Sequence, residues 1–158
     1  MSGCLATIAA GSDTTYPADL FAELHACHNL KQLEAKFSDS MELSSSDIQQ
    51  LAALTHLSSL ALSNVSLPAS TDMSSITQLM CLQQLSLVHH SKVAALVVGD
   101  SHLAVLGQLT GLTELELQGR MCSATDQGLM ALGSLVGLRN LSISWVPWQS
   151  QITQARAG

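Results

Sequence analysis

The sequence predicts an α/β solenoid of about five stacked repeats, each built from one short helix and one short strand. Three observations predict this fold. A leucine pattern recurs at intervals of 25 to 30 residues, an apolar residue stands at every third position before each copy, and the 158 residues are 47% hydrophobic but only 3% aromatic. A leucine core with so few rings needs a regular way to interlock, and a repeat provides one.

The strand of each repeat is predicted from an L-x-x-L-x-L core. Because successive residues of a strand alternate between its faces, the last two apolar residues of each core point the same way, into the solenoid. No single repeat can bury its apolar face alone, so neighbours must stack. The five copies are Leu30-Leu33-Ala35, Leu57-Leu60-Leu62, Leu82-Leu85-Leu87, Leu112-Leu115-Leu117 and Leu138-Leu141-Ile143.

The helix of each repeat is predicted from apolar residues three positions apart, which fit the inner face of a short helix and its following turn. Ser46 and Gln49 have the spacing of a capping box at one helix start. Gly107 and Gly133 fall near helix ends, where a positive φ is useful. The five apolar series are Phe21-Leu24-Cys27-Leu30, Ile48-Leu51-Leu54-Leu57, Met73-Ile76-Leu79-Leu82, Leu103-Leu106-Leu109-Leu112 and Leu129-Leu132-Leu135-Leu138.

With these motifs the sequence resembles the leucine-rich repeat family over residues 17–148. The stretch from Thr125 to Leu132, with its following L-x-x-L-x-I, resembles the cysteine-containing type found in intracellular adaptor proteins. The resemblance implies a curved, right-handed array with a parallel sheet on its concave side, helices on its convex side and a protein-binding role. Residues 1–16 are predicted as a disordered segment or partial cap, and residues 149–158 as a tail.

The sequence departs from this family at the position three residues after each core, where the family usually has Asn or Cys bonded to backbone along a ladder. Asn64 comes one position early and Cys122 two positions late, so we expect irregular turns and lower stability. The residues at the ladder positions are Ser38, Val65, His90, Arg120 and Val146.

Two irregularities concern the third repeat and the ends. The third repeat is the longest, and its excess lies around the apolar run of residues 93–99, interpreted as an insertion packing on the helix side rather than as a functional loop. Neither residues 1–16 nor residues 149–158 resemble a polar cap, so we expect a fragment, or self-association through poorly capped ends. Trp145 and Trp148 are predicted to cover the end of the core.

The residues between the inward leucines should line the concave face, the candidate binding surface. It is polar and mildly acidic and has no aromatic anchor, although binding hot spots favour Trp, Tyr and Arg. Glu114 and Glu116 form its best acidic pair, either as solvated charges or as contacts for a basic partner. The face comprises Gln32, Glu34, Lys36, Ser59, Ala61, Ser63, Gln84, Ser86, Val88, Glu114, Glu116, Gln118, Asn140, Ser142 and Ser144.

Composition and motifs argue against several functions. The formal net charge is −6 and the six Lys and Arg residues are scattered, which disfavours nucleic acid and a membrane surface. No nucleophile elbow or phosphate-binding loop is visible, so no enzyme activity and no cofactor are predicted.

The histidines and cysteines suggest a metal site only weakly. His25, His28 and His56 could approach one another, but a zinc site needs further ligands and Cys27 falls in the core series, so a structural role is favoured. The four cysteines show no paired spacing, which favours a reducing interior.

These features predict a cytoplasmic protein-interaction module, an adaptor or scaffold in a larger cytoskeletal or signalling assembly, whose partner is another protein. One alternative is the substrate-recognition segment of a ubiquitin-ligase-type assembly. The other is a fragment of an extracellular receptor-like array, which predicts glycan on Asn64 or Asn140.

Overall fold

The structure, a computed structural model, describes residues 4–10, 21–27, 29–90, 96–119 and 124–145. Six strands form one parallel sheet whose spatial order follows the chain order. This strictly sequential topology is that of an α/β solenoid of the leucine-rich-repeat type, and it confirms the predicted fold class. The strands are β1 (Cys4–Ala10), β2 (Leu30–Glu42), β3 (Ser59–Ser66), β4 (Gln84–Val88), β5 (Glu114–Gly119) and β6 (Asn140–Trp145).

The connections between strands contain short helical segments, and two of the five predicted helices are single 3-10 turns. The segment Ser74–Gln78 is rich in Ser and Thr, which bond to nearby backbone and favour caps and turns over helix interiors. The α-helices are α1 (Ser45–Ala52), α2 (Asp100–Leu106) and α3 (Asp126–Ala131), and the 3-10 turns are Ala22–Ala26, Ser74–Gln78 and Leu132–Ser134.

The inward residues of successive strands lie in register, as the leucine spacing predicts. From β2 to β5 each of them is at most 2% exposed. Burying one leucine stabilises the fold by roughly 1.5 to 3 kcal/mol, so the aligned rows supply much of the driving force. The two rows are Leu33, Leu60, Leu85, Leu115 and Leu141, and Ala35, Leu62, Leu87, Leu117 and Ile143.

The apolar residues three apart pack behind the sheet, with one exception. Ile48 and Leu51 of α1 and Leu103 and Leu106 of α2 are all buried. Cys27 is exposed, although Leu79 and Leu135 end later 3-10 turns with similar backbone angles and are buried. The prediction that Cys27 is a core residue is therefore wrong.

A sixth strand, β1, precedes the five predicted repeats. Its residues Ala6 and Ile8 align with the inward residues of β2 and pack against the core. The leucine pattern fails to show it because alanine stands where the other repeats have leucine. The assignment of residues 1–16 as a separate segment and the domain boundary at residue 17 stay predictions, and the tail at 149–158 lies outside the described residues.

The insertion of the third repeat contributes to the core. Leu96 and Val98 are at most 1% exposed, and Leu96 forms a bridge with Leu67, which follows β3. Core packing of the insertion is confirmed for these two residues, whereas its location on the helix side stays a prediction. Residues 93–95 lie outside the described part of the chain.

The start of α1 is a capping box, but it lies two residues earlier than predicted. The Ser44 hydroxyl accepts from the Asp47 amide at 3.2 Å, and the Asp47 carboxylate accepts from the Ser44 amide at 2.8 Å. Because Ser44, Ser45 and Ser46 are consecutive, the sequence does not show which of them caps the helix. The Asp47 carboxylate selects Ser44, since an anion is favoured in the first turn of a helix. The prediction of Ser46 and Gln49 as the box is wrong.

Neither of the two glycines near helix ends has the predicted positive φ. No glycine in the described residues has a positive φ. At Gly107 the backbone of α2 instead approaches the carbonyl group of Ala131 so closely that a Cβ would collide with its oxygen. Gly133 has nothing within 4 Å of the place where a Cβ would stand.

Asp100 joins two neighbouring repeats. Its carboxylate accepts from the Thr125 amide and from the Thr125 hydroxyl, each at 2.7 Å, and that hydroxyl also caps α3 by accepting from the Gln127 amide. Two hydrogen bonds from Thr125 hold the pKa of Asp100 below its ordinary value. The bond from its backbone contributes most, followed by the bond from its side chain. The ionised carboxylate thus stabilises the contact between α2 and α3.

This lowered pKa predicts how stability depends on pH. A carboxyl group with a depressed folded pKa stabilises above its unfolded pKa, and the stabilisation disappears as pH falls through the folded pKa. We therefore expect Asp100→Asn to lower the melting temperature at pH 7 and to have a smaller effect at pH 3, below the ordinary aspartate pKa of about 3.9. Thermal unfolding followed by circular dichroism checks this, and an equal effect at both pH values would contradict it.

Asn64, one position before the ladder position Val65, bonds to the backbone of neighbouring repeats. Its side-chain amide donates to the Phe37 carbonyl at 2.7 Å, and its side-chain oxygen accepts from the His90 amide at 3.2 Å. It has a φ of 61°, a left-handed conformation that Asn tolerates better than most residues. Although it comes one position early in sequence, it thus bridges β2 and the segment that follows β4, while the expected irregular turns and lower stability stay predictions.

We expect Asn64→Ala to destabilise the fold by about 2 kcal/mol, from the lost hydrogen bonds and from placing a Cβ without a polar tip at positive φ. Asn64→Gly is the matched variant, because it loses the same bonds but accepts the backbone conformation. Its expected loss is about 1 kcal/mol. Urea unfolding measures both values, and equal losses would show that the backbone conformation carries no cost.

The outer strands leave apolar side chains exposed. Leu5 on β1 is 59% exposed and Leu141 on β6 is 51% exposed. The side chains of Trp145 and Trp148 lie outside the described part, so their predicted covering role is untested, and self-association through the ends stays a prediction. Within the described residues, no helix has the length and apolarity needed to cross a membrane.

Candidate functional site

The outward side chains of the sheet form three rows that cross all six strands, called here the open face. They alternate with the inward leucines, so strand geometry places them on the opposite side of the sheet. The rows are Leu5-Gln32-Ser59-Gln84-Glu114-Asn140, Thr7-Glu34-Ala61-Ser86-Glu116-Ser142 and Ala9-Lys36-Ser63-Val88-Gln118-Ser144.

Every residue that the sequence assigns to the concave face lies in these rows. The three outward residues of β1, namely Leu5, Thr7 and Ala9, extend the rows and were missed along with the strand itself. That the rows bind a partner is a prediction that their placement alone does not test.

A hollow of about 650 Å³ lies over the first and middle rows, between β3 and β6. In its middle row Ala61, Ser86 and Ser142 are small, whereas Gln84 and Glu114 of the first row are long. Small side chains beside long ones create depth on an otherwise flat sheet. The hollow brings together Ser59, Gln84, Ser86, Glu114, Glu116, Asn140 and Ser142 from the predicted face and leaves out Gln32, Glu34, Lys36, Ser63, Gln118 and Ser144.

One hydrogen bond between strands orients a charged group in the hollow. The Ser86 hydroxyl donates to a Glu116 carboxylate oxygen at 2.7 Å. A charge-assisted bond of this kind reduces the number of rotamers available to the carboxylate. Glu116 is half-buried, and Glu114, two residues before it on β5, is exposed. The hollow therefore contains one carboxylate held by a hydrogen bond and one exposed carboxylate.

The charges around the hollow are unevenly neutralised. Lys36 forms an ion pair with Glu34 at 2.7 Å on β2, outside the hollow, and both side chains are substantially exposed. Arg139, just before β6, lines the rim of the hollow. It is not among the residues that the sequence assigns to the concave face. Its only sequence signal is its position immediately before an outward residue of a strand.

A second, smaller hollow of about 240 Å³ lies where β2 and β3 end. Its lining includes Asp39, Ser40 and His90, residue types that also occur in hydrolytic sites. Asn64, which also lines it, is occupied by its backbone bonds to Phe37 and His90. Asp39, Ser40 and His90 are exposed, so this hollow does not exclude water as acyl-transfer chemistry requires.

Two of the six histidines have structural roles. The buried His89 donates from Nδ1 to the Val65 carbonyl at 2.8 Å. The buried His102 accepts from the Gly99 amide at Nδ1 and reaches the Thr71 carbonyl with Nε2, each at 3.2 Å. These bonds tie consecutive repeats together at their strand ends and helix starts.

The metal hypothesis finds no support in the part of the chain that the structure describes. There, no three His, Cys, Asp or Glu side chains are grouped so that they could hold a metal ion. The His25 side chain and all of His28 lie outside the described residues, as do Arg120 and Cys122. Cys4, Cys27 and Cys81 are free and exposed.

The comparisons with known proteins find similarity among solved structures. No protein-family model matches the sequence, and no curated protein matches it. Among solved structures, an internalin from Listeria monocytogenes is 19% identical, with a TM-score of 0.44. The match covers 77% of this chain and 37% of the internalin chain, so this chain spans less than half of that protein.

Proposed function

We propose that this chain is a protein-interaction module, an adaptor or scaffold segment that binds a protein partner at the hollow of its open face. The observation that carries the proposal is the in-register stacking of outward residues from four strands around one depression of about 650 Å³. Backbone pairing holds these side chains on a rigid sheet, so little conformational entropy is lost on binding.

The chemistry of the open face favours recognition over catalysis. Its hydroxyl, amide and carboxylate groups are spread over several strands and are open to water. Polar groups arranged in this way can form many hydrogen bonds with a partner, as protein interfaces do. Catalysis of acyl or phosphoryl transfer instead favours a water-excluding pocket with groups that converge on one atom.

A cytoplasmic location is part of the proposal. Cys4, Cys27 and Cys81 are free thiols, which suit a reducing compartment. Asn64, one of the two glycosylation acceptor sites that the extracellular alternative requires, uses its side-chain nitrogen to bond the Phe37 carbonyl. Attachment of a glycan to that nitrogen would disturb this bond, which weighs against the receptor-like reading.

Blocking the hollow tests the proposed function. Ala61→Trp places a large ring in the middle row, where tryptophan is compatible with a strand. Ala53→Trp, at the exposed end of α1, is the matched control. In affinity capture from the native source, we expect a partner that wild type and Ala53→Trp recover and Ala61→Trp loses. Equal recovery by all three would place binding elsewhere.

A further inference from the structure

The hollow has a charge pattern that distinguishes between partners. Glu114 and Glu116 are two residues apart on β5, so both face outward, with about 6.6 Å between their positions along the strand. Among the described residues neither forms an ion pair, and the only hydrogen bond of Glu116 is donated by the uncharged hydroxyl of Ser86. Two carboxylates on one strand thus stand in a depression without a cation between them.

Among the described residues, neither cation near the hollow forms an ion pair with Glu114 or Glu116. Lys36 is already paired with Glu34 on β2, which is one strand outside the hollow and three strands away from β5. Arg139 lies on the rim beside β6 rather than between the carboxylates. The hollow therefore carries an acidic centre and one basic edge.

The shape of the hollow suits long side chains reaching in from an extended segment. Ala61, Ser86 and Ser142 leave space on both sides of Glu116 in the middle row. In an extended peptide, side chains at positions i and i+2 share one face and are also about 6.6 to 6.8 Å apart. Their spacing matches that of the two carboxylates.

We infer that the hollow binds an extended peptide segment of a partner protein that carries two basic side chains at positions i and i+2, matched to Glu114 and Glu116. Arg139 disfavours a third cation at its side of the hollow and favours a neutral or acidic residue there. The same carboxylates repel phosphate groups, which argues against nucleic acid. This inference rests on the proposed function, since it names the partner chemistry of the same surface.

The test uses a random linear peptide library displayed on phage and selected against the folded 158-residue chain. We expect enrichment of Lys or Arg at i and i+2. A selected peptide, synthesised with a fluorophore, should bind at least about fivefold more tightly than its permutation with the basic residues at i and i+1, which puts them on opposite faces.

Paired variants identify the carboxylates involved. The double variant Glu114→Gln with Glu116→Gln should weaken the peptide by about tenfold at low salt. Glu23→Gln with Glu42→Gln removes the same charge from exposed positions off the open face and is the matched control. The control should leave the affinity unchanged apart from a small effect that salt screens.

The outcomes separate this inference from the proposed function. Selected peptides that Ala61→Trp blocks but that lack basic pairs, or that both double variants weaken equally, would overturn the inference and leave binding at the open face standing. A library that yields no peptide blocked by Ala61→Trp would overturn both. Selected peptides that carry basic pairs, and that lose affinity only in the Glu114→Gln with Glu116→Gln variant, would support the inference.

Discussion

Replacing Leu115 by alanine is expected to lower the free energy of unfolding by about 2 to 5 kcal/mol, the range for truncating a buried leucine. Leu115 is 1% exposed and lies in register between Leu85 and Leu141. Its side chain fills the space between two layers of the stack, so its removal leaves a cavity that the neighbouring strands can close only by distorting their pairing. Urea unfolding followed by circular dichroism measures this loss.

Leu141→Ala is the matched control, because it is the same substitution at the same register position one strand further on. Leu141 is 51% exposed, so truncation removes less buried surface and leaves no enclosed cavity. We expect a loss of about 1 kcal/mol or less. Equal losses for the two variants would contradict the assignment of β6 as an outer strand.

The second large effect is expected at Gly107, where Gly107→Ala should cost about 1 to 3 kcal/mol or more. A Cβ at this position would collide with the carbonyl oxygen of Ala131, and it would lie 3.0 Å from the carbonyl carbon and 3.2 Å from the Ser134 hydroxyl. That hydroxyl lies 2.6 Å from the Gly107 carbonyl oxygen and 2.7 Å from the Ala131 carbonyl oxygen, and its single proton is shared between them. The helical segments of two repeats must separate to admit one methyl group.

Gly133→Ala is the control for this prediction. Nothing lies within 4 Å of its added Cβ and its φ is negative, so alanine fits without strain. By restricting the unfolded chain, alanine should stabilise the protein by about 0.4 to 1 kcal/mol. Comparing the two denaturation midpoints checks both, and a destabilised Gly133→Ala would contradict the described packing.

The stacking of the repeats was predictable because one spacing fixes it. Residues two apart in a strand lie on the same face of the sheet. Equivalent residues of successive repeats also lie side by side, so Leu60, Leu85 and Leu115 could be aligned from sequence. The strand β1 could not be found in this way. Ala6 occupies a leucine position there, and only its pairing with β2 reveals its role.

Local backbone choices were harder to predict than the stack. Ser44, Ser45 and Ser46 offer equivalent hydroxyls, and the Asp47 carboxylate selects the first of them. Asn64 forms its bonds from one position earlier than the expected site because it adopts a positive φ, which a spacing rule does not express.

The candidate site was predicted in its members but not in its shape. Alternation placed Glu114, Glu116 and Ser86 on one face, as the register confirms. The hollow depends on which long and small side chains stand side by side on neighbouring strands, and the hydrogen bond from Ser86 to Glu116 depends on rotamers. Arg139 lies outside the alternating pattern, so no periodicity could include it.

The most direct test of the account is to map the bound partner, or a selected peptide, by nuclear magnetic resonance on the 16.6 kDa chain. The account predicts chemical-shift changes centred on the outward residues of β3 to β6, with Ala61, Ser86 and Glu116 among the largest. Changes centred instead on Met80 and Val136, which are exposed in the turns that precede β4 and β6, would contradict binding through the open face.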